Sequence, residues 1–141
     1  MAETSTRPGI SPYLTVAGAP RAIAFYKTVF GAAELGIHMA DDGQRVMHAA
    51  LRINGGVVML SDSFAEFGDY PPPDPNRGSP VSISLALDDP AEVDRRHKRA
   101  LDNGATTLMD PEDAFWGARF AMLTDPFGHR WMLNAELPKR E

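Results

Sequence analysis

The sequence contains no cysteine. That removes disulfides, thiolate metal centres and a cysteine nucleophile together. No apolar run approaches the ~20 residues that a bilayer span requires. The opening residues, MAETSTRPG, lack the apolar centre of a secretory signal. Lys and Arg gather on no single stretch, and the formal net charge is −5, so neither a nucleic-acid nor a membrane partner is expected. There is no glycine-rich phosphate loop, because GVVMLSD reads as a strand and Gly55-Gly56 as a turn. A cytoplasmic protein follows from these absences.

What is present fits one domain. The 141 residues suffice for a real core, and 43% hydrophobic with 23% charged residues is ordinary for a globular chain. Residues 1–9 read as a loose tail, and 10–137 as the single domain. Within it, module one covers 11–62, a connecting loop 63–79, and module two 80–135.

Most of this organisation follows from Phe115 to Met132, FWGARFAMLTDPFGHRWM. It reads as strand, turn and strand, with Asp125-Pro126-Phe127-Gly128 in the four places of a type I turn. Asp stands first to accept backbone bonds, Pro second with its φ preset, and Gly last. Upstream, Ser11 to Ala17 reads as a strand. Pro20 opens a helix whose Ile23, Tyr26 and Phe30 give a buried stripe, and Gly31 ends it. Strands follow over Glu34 to Met39, Arg45 to Ile53 and Val57 to Ser61, the last two joined by an Asn54-Gly55-Gly56 turn.

Ser61 to Pro80 holds five of the twelve prolines, which rules out regular structure over most of it. Its Phe64, Phe67 and Tyr70 leave two readings open, a lid over a binding site or a pinned surface linker. The pattern then returns. Val81 to Leu87 alternates, with Ser82, Ser84 and Ala86 on one face. Asp89, Pro90 and Glu92 announce a helix with a capping-box-like start, carrying Val93, His97, Ala100 and Leu101 on one stripe. Ala105 to Met109 reads as a strand and Asp110 to Asp113 as a loop. Pro20, Gly31 and Ala32 correspond to Pro90, Gly104 and Ala105, which marks an internal duplication. The fold class is α+β, two paired β-α-β-β-β modules whose half-sheets, joined edge to edge, enclose a cup.

The segments SPYLTV, AIAFYKTVFGA, VMHAALRINGGVVMLSD and FWGARF with DPFGHRW resemble the vicinal-oxygen-chelate superfamily, which includes glyoxalase I, extradiol dioxygenases and bleomycin-resistance proteins, and its PhnB-like branch in particular. The resemblance implies a cup-shaped mixed sheet, a homodimer and, in metal-using members, a divalent ion held by His and carboxylate side chains. Carried over by motif, the ion's places fall on Ser11, on or near Met59, on Ser82 and on Met132. None of these side chains suits a hard divalent ion, so no metal and no cofactor is expected. The expected partner is a small organic molecule in the cup, lined by Tyr13, Met59, Ser82, Ser84, Arg130 and Met132. His48, Trp116 and Arg119 are further ligand-binding candidates, Arg119 through an anionic group or else as a surface or dimer-interface ion pair.

The alternative is a metal-dependent lyase or dioxygenase-like enzyme whose ion is displaced towards His48, with His38 and Asp62 as possible companions. Of the other histidines, His97 reads as a packing residue and His129 as a hydrogen-bonding residue of the turn. Strand parity assigns Trp131 to the core and Arg130, Met132 and Asn134 to the cup.

Overall fold

A computed structural model of the chain describes residues 9–68 and 71–139. All of the expected N-terminal tail except Gly9, and the aromatic Tyr70, therefore lie outside the described residues.

Module one runs β1 (Tyr13–Val16), α1 (Ala19–Phe30), β2 (Ala33–Met39), β3 (Val46–Ile53) and β4 (Gly56–Asp62). Module two repeats the order as β5 (Ser82–Leu87), α2 (Pro90–Asp102), β6 (Thr106–Ala114), β7 (Ala118–Thr124) and β8 (Arg130–Glu136). The sheets have orders β1-β4-β3-β2 and β5-β8-β7-β6. In each, the first strand lies parallel to the last and the other pairings are antiparallel. The two β-α-β-β-β modules of an α+β fold are thus present with matching topology. Their sheets share no hydrogen-bond ladder, so the edge-to-edge join expected from the sequence is not made through the backbone. Neither helix is long and apolar enough to cross a membrane.

Local chemistry accounts for the elements. Helix α1 starts after Gly18 and stops at Gly31, both left-handed (φ 92° and 68°), and buries Ala22, Ile23, Phe25, Tyr26, Val29 and Phe30. Gly18 has no side chain with which to cap the helix. Asp62, at the end of β4, does so instead and accepts the amides of Gly18 (2.9 Å) and Ala19 (2.8 Å), where a negative charge suits the helix dipole. Its other oxygen accepts the Val46 amide at 2.7 Å. Helix α2 is capped by Asp89, which accepts from the Ala91 amide at 3.0 Å. Glu92 does not complete the expected reciprocal pair. Its carboxylate turns to Arg95 (2.7 Å) and Arg96 (3.2 Å), because a charged donor outcompetes a neutral amide.

Asp125 organises the turn before β8. Its Oδ1 accepts the amides of Phe127 (2.8 Å) and His129 (3.0 Å), and the Gly128 amide donates to its carbonyl at 3.1 Å. Its Oδ2 accepts Trp131 Nε1 at 2.8 Å and the Tyr26 hydroxyl of α1 at 2.5 Å. Around this carboxylate the two modules share one core. The Phe30 and Trp131 rings sit 4.6 Å apart and those of Tyr26 and Trp131 5.3 Å.

Two sequence-based boundaries need correction. The stretch Asp110 to Asp113 is not a loop, since β6 continues through it to Ala114. Register shifts between Thr107 and Met109 and between Met109 and Glu112 absorb Pro111, which an edge strand tolerates because its outward amide needs no partner. Phe115 to Gly117 form the turn between β6 and β7 rather than the start of a strand, with the Gly117 amide donating to the Ala114 carbonyl at 3.1 Å.

The connecting loop is tied at both ends. Near its start Arg45 reaches Asp42 and Glu66, both at 2.7 Å, and lies 4.3 Å from the Phe64 ring. The Arg45 backbone amide and then its guanidinium hold the Asp42 carboxyl down to about 2. Farther on, the Pro73 carbonyl crosses the β7–β8 turn so closely that a Cβ on Gly128 would lie 2.6 Å from it. Gly128 also has φ +93°, so any side chain there meets both strain and collision.

Gly128→Val should therefore cost more than about 3 kcal/mol. Gly43→Ala (φ +70°, with no atom within 4 Å of the added Cβ) should cost about 1 kcal/mol. Urea unfolding of the two variants measures the difference, and equal losses would mean that the Pro73 crossing yields freely.

Candidate functional site: the open face of the two sheets

The helices cover one face of each sheet, and strand parity identifies what remains. In β8, Trp131, Leu133 and Ala135 are buried against the helices, which places Arg130, Met132 and Asn134 on the open side. Register sets Ser82 beside Arg130 and Ser84 beside Met132 on β5, and Thr124 and Met122 beside the same two residues on β7. In module one, Leu14 and Val16 enter the core, so Tyr13 and Thr15 face outward. Met59 lies beside Tyr13, Ala50 beside Met59, and His38 directly opposite His48.

Tyr13, His48 and Met59 thus share the open side of module one's sheet, and Ser82, Ser84, Arg130 and Met132 that of module two's. Trp116 joins them from the β6–β7 turn. It is half exposed, meets Phe120 edge-on with ring centroids 5.3 Å apart, and points Nε1 at Asn134 Oδ1 (3.5 Å), so it overhangs the open face. Arg119 does not join them. Its position in β7 points it to the helix side, where it forks onto Asp94 of α2 at 2.9 and 2.8 Å and takes Asp113 at 3.2 Å. The guanidinium beside Asp94 holds that carboxyl below its usual range. The expected meeting of Arg119 with a ligand's anionic group is therefore replaced by an ion pair within one chain.

Tyr13 reaches diagonally across Met59 to His48, with its hydroxyl 3.0 Å from Nδ1 and the rings 5.5 Å apart. A phenol is a stronger donor to an imidazole nitrogen than an imidazole N–H is to a phenol oxygen, so this contact favours the tautomer protonated on Nε2. The His38 ring lies 6.2 Å from that of His48. Asp62 cannot complete a metal site with these two. It points to the opposite face of β4, and both its oxygens are held by backbone amides. Among the described residues, no three His, Asp or Glu side chains come together in a way that could hold an ion.

His97 packs between α2 and β6. Its Nε2 meets Thr107 Oγ1 at 2.9 Å, and burial lowers its pKa against the opposing pull of Asp110 and Asp94. The side chain of His129 does not serve the turn as expected. Its Nε2 donates to the Thr15 carbonyl (2.9 Å), which ties module two to the free edge of β1. A second tie, from Asn54 Nδ2 to the Ala86 carbonyl (2.7 Å), joins the modules elsewhere. A groove of about 220 Å³ opens along this seam, between Pro12 and Val57 on one side and Ile83 and Ser84 on the other.

The connecting loop reaches the open face at the Arg130 end. A Cβ added to Gly78 would lie 3.5 Å from the Arg130 stem and 3.6 Å from Thr124 Oγ1. Thr124, Met122 and Asn134 therefore belong to this face. Thr124 and Met122 were not among the residues expected there, although they flank the buried Leu123 and so alternate with it along the strand.

The sequence model of the Glyoxalase/Bleomycin resistance protein/Dioxygenase superfamily matches residues 9–133. The Mycobacterium bovis protein Mb0911c is 43% identical over 139 residues, which is 97% of this chain and 88% of that one. The crystal structure of protein PA1353 from Pseudomonas aeruginosa superposes with a TM-score of 0.74 at 31% identity, covering 92% of this chain and 98% of that one. The PhnB protein from Bacillus cereus superposes with a TM-score of 0.71 at 22% identity over 91% and 99% of the two chains, a likeness of fold.

Long-range ¹H–¹⁵N spectra of the neutral ring should show His48 as the Nε2–H tautomer, and Tyr13→Phe should let both tautomers appear. An unchanged spectrum in the variant would show that the tyrosine does not orient the ring.

Proposed function

This chain belongs to the glyoxalase/bleomycin resistance protein/dioxygenase superfamily, and from that membership we propose that it binds a small organic molecule on the open face of its sheets without the superfamily's usual ion. The carrying observation is the set of residue types on that face. The places that the resemblance assigns to the imidazole and carboxylate ligands of metal-using members fall on Ser11, on or near Met59, on Ser82 and on Met132. Two flexible, polarizable thioethers and small hydroxyls suit the packing of an organic surface far better than the grip of a divalent cation. Tyr13 and Trp116, both half exposed, offer ring faces for stacking. Residues 63–79 act as the lid, a role supported by the approach of Gly78 to Arg130.

We place the protein in the cytoplasm as a homodimer. A second copy would cover Leu35 and Met39 on β2, or Leu108 and Met109 on β6, which are exposed on edge strands.

One observation favours a second reading, a lyase- or dioxygenase-like enzyme with its ion near His48. It is the opposition of His38 and His48 across the β2–β3 ladder. Against it stand the engagement of Nδ1 by Tyr13 and the lack of a third donor among the described residues.

Two measurements separate the readings. Ligand-observed NMR with aromatic fragments should give saturable signals that vanish in Ser84→Trp, whose new ring fills the open face from an exposed position and leaves the melting temperature unchanged. Signals that persist in the folded variant would place binding elsewhere. Titration of protein purified without an affinity tag with Ni, Co or Zn should be flat, whereas stoichiometric uptake would favour the enzyme.

A further inference from the structure

We propose that the ligand is an anion, a carboxylate or phosph(on)ate, and that Arg130 is the residue that recognises it. This inference rests on the open-face reading above and names its ligand class.

The signal is an unsatisfied cation. Arg130 opens β8 on the open face, and its Nε is sealed from solvent with no hydrogen-bond partner. A buried N–H without an acceptor is destabilising, and such groups ask for an occupant that the chain itself does not supply. Arg45, Arg95 and Arg119 each hold a carboxylate. Arg96 also has an unpartnered buried nitrogen, but its Nε is engaged by Glu92. Arg130 has no carboxylate partner among the described residues. Its register neighbours are Ser82 on β5 and Thr124 on β7, and the Gly78 backbone lies over its stem.

This is the composition of an anion seat. A guanidinium supplies two parallel donors along its Nε edge, matching the two oxygens of a carboxylate or phosph(on)ate, and neighbouring hydroxyls add neutral donors. Neither register neighbour brings a negative charge to compete. Gly78 carries no side chain, so it adds nothing of its own over the Arg130 stem. The net charge of −5 means that no general positive field gathers anions. Recognition therefore falls on this one side chain, and its loss should abolish the preference rather than dilute it.

The experiment titrates the full chain with benzoate, phenylphosphonate and the neutral benzamide, following the arginine Nε–H resonances. Benzoate or phenylphosphonate should bind roughly tenfold or more tightly than benzamide and move the Arg130 signal. Arg130→Met should erase that preference while benzamide binding persists. Arg130→Lys keeps the charge but loses the fork, so it should retain only part of the preference, and it serves as the folded variant if the methionine does not fold. Arg52→Gln, on the same face in module one, should leave the preference intact. Equal affinity for benzoate and benzamide would overturn the anion seat and leave the open-face reading standing. A preference that survives in Arg130→Met, or that falls equally in Arg52→Gln, would also overturn it. Failure of all three probes to bind would remove both.

Discussion

The buried carboxylate of Asp125 is the interaction on which the rest of this structure depends. An ionised group taken out of water is costly unless its lone pairs are met, and here four donors converge on two oxygens. Two of them, from Phe127 and His129, shape the turn that starts β8. The third, from Trp131, sets the largest core side chain in place. The fourth comes from Tyr26, in the helix of the other module. Burial first and the carboxylate second push the Tyr26 hydroxyl well above its usual pKa, which keeps it a donor. One acidic residue therefore joins turn, strand and opposite helix, and it does so where the sheets share no ladder.

Module one contains a corresponding device with a different local purpose. Asp62 caps a helix whose own N-cap residue is glycine, and it also pins the start of β3. In both modules a buried carboxylate has been committed to holding backbone and core together. The open face presents imidazole, hydroxyl, thioether and guanidinium instead. A surface of this kind fits the recognition of an organic molecule, with the connecting loop arched over one end by way of Pro73 and Gly78.

The legible parts of the fold were those written in short-range chemistry. Pro20, Gly31, Asp89 and the Asp125-Pro126-Phe127-Gly128 turn each act within a few residues of themselves, so their types reveal their roles. Strand parity extended this to the open face, where it correctly separated Trp131 from Met132. It misled only where regularity lapsed. Bulges in β6 let a strand run through Pro111, and the tight turn at Phe115 to Gly117 was disguised by its aromatics. Arg119 shows the limit most plainly. Its distance from Asp94 is 25 positions in sequence, and nothing near it in the chain advertises the partner across the helix face.

The amino-acid sequence by itself determined the duplicated β-α-β-β-β plan, the turns and caps that punctuate it, and the residue types that face away from the helices, because each of these depends on φ preferences and on periods of two and 3.6. Only the tertiary structure decided which charges are spent and which are spare. Asp62 and Asp125 are consumed by amides and a phenol, Arg119 is consumed by Asp94, and His129 is consumed by an edge carbonyl, while Arg130 keeps an unmet donor. The physical reason is that a hydrogen bond is satisfied by whatever group folding brings within about 3 Å, and that group is often a distant part of the chain.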